Sequence, residues 1–333
     1  MQPQKNNRDV AQSGSAHVWG ACGRWFKSSR PDIIQKLSFL LGFLFIFTFV
    51  SMFKKTCSLP VLLLLLLFQN CAFTEIKRSK DIPYTQSSSQ HPQKLNIYAP
   101  VKKKELKPVL VFFYGGNWTS GRKGLYSFFG SRWARKGVVT VIPDYPKSPL
   151  ATYKEMTMDA AQAVKWAKEN IQQYGGDPNE IFVAGHSAGA QLAALSSLDT
   201  TYYKTWGTEN PVKGIILIDP AGLDMYRYMK EVDYGPDNSY LQIFGKDEAS
   251  WKSASAIFYL QHKSPPMLVY TGGRTYATII ICAQRFVNKA RSYNADITYK
   301  VINGRKHIPM ITQFFNTFNP LYKDIQSFIH NHK

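Results

Sequence analysis

The segment IFVAGHSAGAQ, residues 181 to 191, places Ser187 between two glycines directly after a short apolar run. A Gly-x-Ser-x-Gly pattern between a buried strand and a helix puts the serine on a tight turn that exposes its hydroxyl. We expect the strand to end at Ala184 and the helix to begin near Ala188. Gly185 and Gly189 allow the close chain approach that such a turn requires. The segment therefore predicts that Ser187 is a nucleophile.

A glycine-rich stretch, FFYGGNWTSG at 112 to 121, follows an earlier apolar run. Acyl transfer develops negative charge on a substrate oxygen, and backbone N–H groups of a glycine-rich loop can point at that oxygen without side-chain obstruction. Gly116 and Asn117, together with Ala188 after the nucleophile, are the predicted donors of this oxyanion hole. A tight structural turn is the alternative interpretation.

The elements that must position these residues are short apolar runs that alternate with helical stretches. The runs lie at 94–100, 108–114, 138–142, 181–184, 214–218, 266–270 and 296–302. Continuous apolar strands separated by helices predict an α/β fold, with a mostly parallel sheet and helices on both faces.

Two further segments lie between these strands. Apolar residues recur at helical spacing within 154–173, which predicts an amphipathic helix that ends before Gly175 and Gly176. Residues 223–264 are rich in Tyr, Trp and Met and predict a small cap over the C-terminal edge of the sheet. Its aromatic side chains are expected either to pack on the core or to line an acyl or aryl pocket.

The motifs together give the chain a family resemblance. From about residue 94 onward it resembles an α/β-hydrolase of the carboxylesterase, acetyl-hydrolase and feruloyl-esterase-like group. The residues that carry the resemblance are LNIYAP, FFYGGNW, PDY at 143–145, the segment from DAAQAVKW to AGHSAGAQLAAL, and GRKHIPMI. The resemblance implies an α/β-hydrolase domain at 94–333, a small ester substrate and no metal or organic cofactor. It assigns the nucleophile to Ser187 and the base to His307, for which a plain loop histidine is the alternative.

Two residues depart from the family pattern. Tyr114 stands where the family usually has the histidine of His-Gly-Gly, and Thr275 stands where the acid is expected after strand 266–270. Losing the orienting carboxylate costs such an enzyme about 10⁴-fold in kcat. The segment DPAGLDM resembles the Asp-Pro-Ala of pancreatic-type lipases, whose acid follows the preceding strand. Asp219, Asp224 and the absence of any acid remain open.

The N-terminal part contains two apolar runs, at 37–53 and 59–68. Read from Met52, a lysine pair, an apolar core and Cys71 resemble a bacterial lipoprotein signal at 52–71, with lipidation of Cys71. A cleaved secretion signal and an uncleaved membrane anchor are the alternatives. Residues 72–93 are polar and predict a tether. This layout predicts a membrane-associated, extracytoplasmic protein of a bacterial cell envelope.

Residues 1–51 are interpreted as a doubtful extension upstream of a translation start at Met52. Phe26, Lys27, Ser28 and Ser29 can be encoded by TTC AAG TCC TCT, a codon string that reproduces a tRNA loop sequence. A basic tail before a membrane helix is the alternative.

The formal net charge is +19, and residues 72–333 alone carry 33 Lys and Arg against 20 Asp and Glu. A basic surface attracts anionic lipid headgroups or polysaccharides. Close to the predicted anchor, the sequence leaves two interpretations open, a segment that rests on a membrane or an ordinary solvated loop before a strand, for Lys102, Lys103, Lys104 and Lys107. No motif indicates nucleic-acid binding. Cys282 is the single cysteine after Cys71, so no disulfide is expected.

The leading hypothesis is a membrane-anchored serine hydrolase that cleaves carboxylic esters through an acyl-enzyme. A catalytically impaired binding protein is the competing hypothesis, motivated by Thr275 and Tyr114. Within enzymes, an arylformamidase-like amidase, a polysaccharide deacetylase and a lipase remain open.

Overall fold

The computed structural model describes residues 75–85, 92–101, 105–231 and 239–333. Residues 1–74, with both apolar runs and Cys71, lie outside the described residues, as do 102–104. In the parts that are described, no helix combines the length and the hydropathy needed to cross a bilayer.

Eight strands of the described residues form one sheet in the order β1-β2-β4-β3-β5-β6-β7-β8. Strands β1 and β4 both pair with β2 in antiparallel fashion, and the remaining neighbours are parallel. The strands are β1 (Ile76–Pro83), β2 (Lys94–Pro100), β3 (Lys107–Phe113), β4 (Val139–Pro143), β5 (Gly176–His186), β6 (Val212–Ile218), β7 (Met267–Gly272) and β8 (Ile297–Ile302).

Helices follow most of the parallel strands. They are α1 (Ser127–Arg135), α2 (Tyr153–Asn170), α3 (Ala188–Leu198), α4 (Thr201–Lys204), α5 (Met225–Glu231), α6 (Ser239–Phe244), α7 (Glu248–Ser253), α8 (Ala277–Ser292), α9 (His307–Thr312) and α10 (Pro320–Asn331). Short 3₁₀ turns lie at Lys123–Tyr126, Ile171–Tyr174, Ala256–Tyr259 and Gln313–Phe315.

The central strands are buried along almost their whole length; in β3, all residues after Lys107 are buried. Successive side chains of a strand point to opposite faces, so such burial requires cover on both faces of the sheet. This confirms the predicted α/β fold class.

Strand β1 corrects the part of the tether predicted at 72–93 that it occupies, whereas 72–74 and 86–91 lie outside the described residues. Its sequence IKRSKDIP has only Ile76 and Ile82 as apolar side chains, both partly buried, so no alternation marks it as a strand. The backbone of β2 supplies the pairing instead, and Asn96 Oδ1 accepts a hydrogen bond from the Asp81 N–H at 2.9 Å. Charged side chains are usual on an edge strand, where they oppose pairing with another chain.

Helix α2 confirms the helix predicted over 154–173. Thr152 begins it with a capping box, in which the Glu155 carboxylate accepts the Thr152 N–H at 2.7 Å. The helix continues into the 3₁₀ turn Ile171–Tyr174 and stops at Gly175, whose φ of 87° is left-handed. Glycine adopts this conformation without steric cost, so the chain turns there into β5.

One side chain of α2 should make stability depend on pH. Asp159 Oδ2 is buried without a hydrogen-bond partner in the described part of the chain, and burial, followed by the charge of Glu155, raises the pKa of Asp159 to about 7. A carboxyl whose pKa is raised on folding favours the folded state less as pH rises from about 4 to about 7. We expect Asp159→Asn to raise the free energy of unfolding at pH 8 and to leave it nearly unchanged at pH 4.

Each unit of pKa shift corresponds to about 1.4 kcal/mol, so the raised pKa of Asp159 limits the change in the free energy of unfolding to about 4 kcal/mol. Partial solvent exposure of Asp159 makes the change smaller. Urea denaturation at the two pH values measures it. Glu209→Gln is the control, because Glu209 is exposed and takes part in no ion pair between described residues. An equal change at pH 4 and pH 8 in Asp159→Asn would contradict the assignment.

Candidate active site

Ser187 occupies the turn between β5 and α3, as the sequence predicts. Its backbone has φ 55° and ψ −125°, a conformation that non-glycine residues rarely adopt and that displays the hydroxyl at the sheet edge. The Ser187 N–H donates to the Ile218 carbonyl at 3.2 Å, which ties the turn to β6.

Gly185 and Gly189 are required by distance. A Cβ on Gly185 would lie 2.2 Å from the Gly189 carbonyl oxygen, and a Cβ on Gly189 would lie 2.2 Å from the Phe113 carbonyl oxygen. No side chain fits at either position, so both glycines are needed for the turn to close.

His307 begins α9, five residues after β8 ends. Its Nε2 lies 2.8 Å from Ser187 Oγ, within hydrogen-bonding distance. The backbone before it is fixed, because the Arg274 N–H donates to the Arg305 carbonyl at 2.9 Å. The structure therefore brings the predicted base to the predicted nucleophile.

Asp219 lies at the end of β6, with its carboxylate fully buried beside His307. Asp219 Oδ2 is 2.6 Å from His307 Nδ1, and Oδ1 accepts the Gly272 N–H at 2.7 Å. Its backbone φ of 49° turns the side chain toward the neighbouring strand end. Of the alternatives left open by the sequence, the structure brings Asp219 to the histidine.

Asp224 has a different place. Its Oδ1 accepts the Arg227 N–H at 3.2 Å in the first turn of α5, where it caps the helix. Thr275, at the family's usual acid position, donates its hydroxyl to Asp219 Oδ2 at 2.5 Å. The threonine is therefore a partner of the acid, a role that its residue type alone did not indicate.

The glycine-rich loop after β3 lies against the nucleophile. A Cβ on Gly115 would stand 2.8 Å from Ser187 Cβ. Gly116 and Asn117 both have positive φ, 151° and 51°. None of the hydrogen bonds within the described residues uses the N–H of Gly116, Asn117 or Ala188. Gly116 and Asn117 thus lie in a loop that contacts Ser187, Ala188 follows Ser187 at the start of α3, and the N–H groups of all three are available.

Tyr114 shows what replaces the family's histidine. Its hydroxyl donates to Asp144 Oδ1 at 2.6 Å, while its carbonyl accepts the Tyr145 hydroxyl at 2.7 Å. Lys123 Nζ also bonds Asp144, at 2.9 Å, and Asp81 on β1 at 2.9 Å. These contacts hold the start of the glycine-rich loop, so the tyrosine has a structural role.

His186 is a neighbour of His307 for which the sequence indicated no role. Its ring stacks on His307 with centroids 4.8 Å apart, and its Nε2–H donates to the His307 carbonyl at 3.2 Å. Burial, followed by the charge of His307, lowers the pKa of His186 well below its ordinary range. His186 therefore stays neutral and adds no second positive charge beside His307.

The cap predicted at 223–264 consists of α5, α6, α7 and a 3₁₀ turn; residues 232–238 lie outside the described residues. Phe244 packs edge-on against Trp118 at 5.0 Å, and the Tyr240 hydroxyl donates to Asn117 Oδ1 at 2.9 Å. The cap therefore packs on the core and also reaches the glycine-rich loop. The Tyr276 ring, which is 51% exposed, lies 5.3 Å from the His307 ring.

Across the described ranges, no three His, Cys, Asp or Glu side chains converge on a position where they would hold a metal ion.

Comparison with known proteins identifies the family. Residues 95–289, more than half of the chain, match the family model BD-FAE. The chain belongs to the BD-FAE family. The match ends before His307, whose place beside Ser187 comes from the structure.

Curated relatives of this BD-FAE protein are named as esterases. It is 26% identical to isoprenylcysteine alpha-carbonyl methylesterase ICME of Arabidopsis thaliana, over 71% of this chain and 59% of that protein. It is 30% identical to Esterase LipC of Mycobacterium tuberculosis, over 60% of this chain and 52% of that protein. The BD-FAE chain thus spans less than two thirds of the length of either relative.

Solved structures show the fold. A truncated carbohydrate esterase from gut microbiota superposes with a TM-score of 0.66 at 20% identity, over 78% of this chain and 98% of that one. Esterase B from Lactobacillus rhamnosis, in an inhibited form, gives 0.63 at 19% identity, over 76% and 86%. The BD-FAE chain has the α/β-hydrolase fold.

Proposed function

We propose that this chain is a serine hydrolase that cleaves carboxylic esters through an acyl-enzyme. The observation that carries the proposal is the unbroken hydrogen-bonded line from Ser187 Oγ through His307 to Asp219, with distances of 2.8 and 2.6 Å. A nucleophile, a base and a group that orients the base, each within hydrogen-bonding reach, form the arrangement on which nucleophilic acyl transfer depends.

The first half of the reaction acylates the serine. Ser187 Oγ attacks the ester carbonyl carbon while its proton passes to His307 Nε2, and the carbonyl π electrons move onto oxygen. The N–H groups of Gly116, Asn117 and Ala188 donate to that oxyanion. When the electrons return, the C–O bond to the alcohol breaks, and the alcohol oxygen takes the proton from His307 Nε2.

The second half repeats these steps with water. Water gives a proton to His307 Nε2 while its oxygen adds to the acyl carbon. When the second oxyanion collapses, the bond between the acyl carbon and Ser187 Oγ breaks, Oγ takes the proton from His307 Nε2, and the carboxylic acid is released. Throughout, the Asp219 carboxylate accepts the His307 Nδ1–H and stabilises the imidazolium. Because Asp219 is fully buried, solvent screens the attraction between its carboxylate and the imidazolium only weakly.

Two observations support an ester as the substrate class. Two relatives similar to this chain are named methylesterase and esterase. Tyr276 stands beside His307, the residue that protonates the departing alcohol, and half of its surface is free for contact. We therefore propose an ester whose alcohol part presents an apolar or aromatic face to Tyr276.

The competing hypothesis of a binding protein without turnover has lost its motivation. It depended on Thr275 and Tyr114. Thr275 donates a hydrogen bond to Asp219, and Tyr114 donates one to Asp144, so neither departure from the family pattern removes a reacting group from the surroundings of Ser187. No observation in the site favours it over hydrolysis.

We also propose that the hydrolase is anchored to a membrane on the extracytoplasmic side, through residues 52–71 and lipidation of Cys71. The lysine pair, apolar core and cysteine of that segment support this localisation.

A fluorophosphonate probe tests the proposed reaction, because it phosphonylates a serine only where a base activates the hydroxyl. We expect the probe to attach at one equivalent to the peptide that contains Ser187, as read by mass spectrometry. Ser196→Ala, at a buried position on α3, should be labelled to the same extent as the unmodified protein. Folded protein that carries no label at Ser187 would contradict the proposal.

A further inference from the structure

A second surface of the domain combines arginines with one partly buried and two exposed phenylalanines at α1 and the loop that contacts it. Phe128, Arg132 and Arg135 are spaced at i, i+4 and i+7, so they share one face of that helix. Arg78 of β1 contacts the helix at Ser131, and Phe315, three residues before Phe318, stacks on Phe128. We call this set of residues the α1 surface.

The arginines of the α1 surface are close together. Arg78 Nε donates to Ser131 Oγ of α1 at 3.3 Å. Burial first, and then the charges of Arg132 and Arg78, lower the pKa of Arg135. No ion pair between described residues includes any of the three. Three neighbouring guanidinium groups without a carboxylate form a site suited to an anionic partner.

The phenylalanines extend the same surface with apolar groups. The Phe315 ring stacks on Phe128 at 3.8 Å and is 45% exposed, and Phe318 is 90% exposed. Phe128 and Arg135 are seven residues apart on α1, or about 10 Å along its axis. Apolar side chains beside cationic ones are the combination by which proteins bind the interface of an anionic bilayer.

The chain also limits where a membrane can be. The apolar run at 59–68 ends eight residues before Ile76, the first residue of β1, and eight extended residues span at most about 28 Å. Arg78 is two residues further on and contacts α1 directly. If that run enters a bilayer, as proposed above for localisation, the strand that carries Arg78 is held within this distance of the lipid surface.

We propose that the α1 surface docks on the anionic lipid headgroups of the membrane to which the protein is tethered, with Phe315 and Phe318 inserted among the lipids. This inference rests on the proposed membrane localisation and is independent of the proposed reaction. It gives the domain a defined orientation on the membrane.

Hydrogen exchange of the full-length chain in lipid nanodiscs tests the proposal. Discs of phosphatidylcholine alone are compared with discs that also contain phosphatidylglycerol, and exchange is followed by mass spectrometry over 126–130 and 314–319. We expect slower exchange in both segments on the phosphatidylglycerol discs, and loss of this protection in high salt, because salt screens exposed charges.

Charge variants locate the effect. At about 1 kcal/mol per cation, removal of three arginines weakens attraction to an anionic surface about 100-fold. Arg78→Gln, Arg132→Gln and Arg135→Gln together should therefore abolish the difference between the two discs. The matched control replaces Lys204, Lys213 and Lys263 by Gln, which removes the same charge from exposed positions elsewhere, and should keep the difference. Phe318→Ser should reduce the protection of 314–319.

Hydrolysis of a water-soluble ester is measured in parallel, and both triple variants should retain it if they are folded. Equal exchange on the two discs, or an equal loss in the lysine control, would overturn the docking surface. So would arginine-dependent binding to a soluble anionic polysaccharide without any effect of phosphatidylglycerol. A chain that leaves the discs would overturn the tether and the docking surface together, whereas failure of turnover alone would overturn only the proposed reaction.

Discussion

Ser187→Ala is expected to lower kcat for a short p-nitrophenyl ester by about 10⁶-fold, the size of loss found when a serine nucleophile is removed from such a set of groups. The methyl group cannot form the acyl-enzyme, whereas His307, Asp219 and the glycine-rich loop stay in place. KM should change little, because the hydroxyl contributes mainly to the transition state.

Steady-state kinetics with purified protein measure this effect. Residual hydrolysis faster than in water is expected, because the oxyanion donors and substrate binding contribute about 10³ to 10⁴-fold on their own. Ser196→Ala is the control for serine loss without loss of the nucleophile. A Ser187→Ala variant that keeps more than a few per cent of the activity would show that another residue carries the reaction.

Asp219→Asn is the second large expected effect, a loss of about 10⁴-fold in kcat. Asparagine has nearly the same volume and tolerates the positive φ of this position, so the backbone should be kept. It lacks the negative charge, and so it cannot stabilise the imidazolium that forms when His307 takes the proton. Thermal unfolding of the variant checks that the fold is intact.

The position of Thr275 allows this assignment to be tested by rescue. The threonine hydroxyl bonds the same carboxylate oxygen that bonds His307 Nδ1, so a side chain at 275 reaches the immediate surroundings of the histidine. Adding Thr275→Asp to Asp219→Asn should recover at least about 10-fold in kcat, since a carboxylate again faces the imidazolium. Adding Thr275→Asn instead is the matched control and should recover nothing.

A single variant completes the series. Thr275→Val in the presence of Asp219 should lower kcat about 10-fold, because a hydrogen bond to a charged group is lost. Thr275→Ser keeps the hydroxyl and should retain most of the unmodified protein's kcat. Full activity in Asp219→Asn would assign the acid elsewhere. Equal recovery by Asp and Asn at 275 would show that charge is not what the histidine requires.

Much of the molecule was predictable from local sequence. The strand-to-helix position of Ser187 follows from apolar runs and glycines, and the distances at Gly185 and Gly189 explain why no other residue stands there. The seven apolar strands and helix α2 follow from periodicity and capping, since both depend on residues near in sequence. Strand β1 was not predictable, because its pairing comes from β2 and its own side chains are mostly polar.

The acid shows what the sequence by itself left undetermined. Residue types and order indicated a serine, a histidine and a glycine-rich loop, and offered Asp219, Asp224 or no acid at all. These positions are 83 to 88 residues from His307 in the chain, so only the sheet order, which sets the end of β6 beside that of β7, decides which carboxylate meets the imidazole. The backbone turn at Asp219 and the hydroxyl of Thr275 then fix that carboxylate 2.6 Å from Nδ1, a contact made by packing across strands.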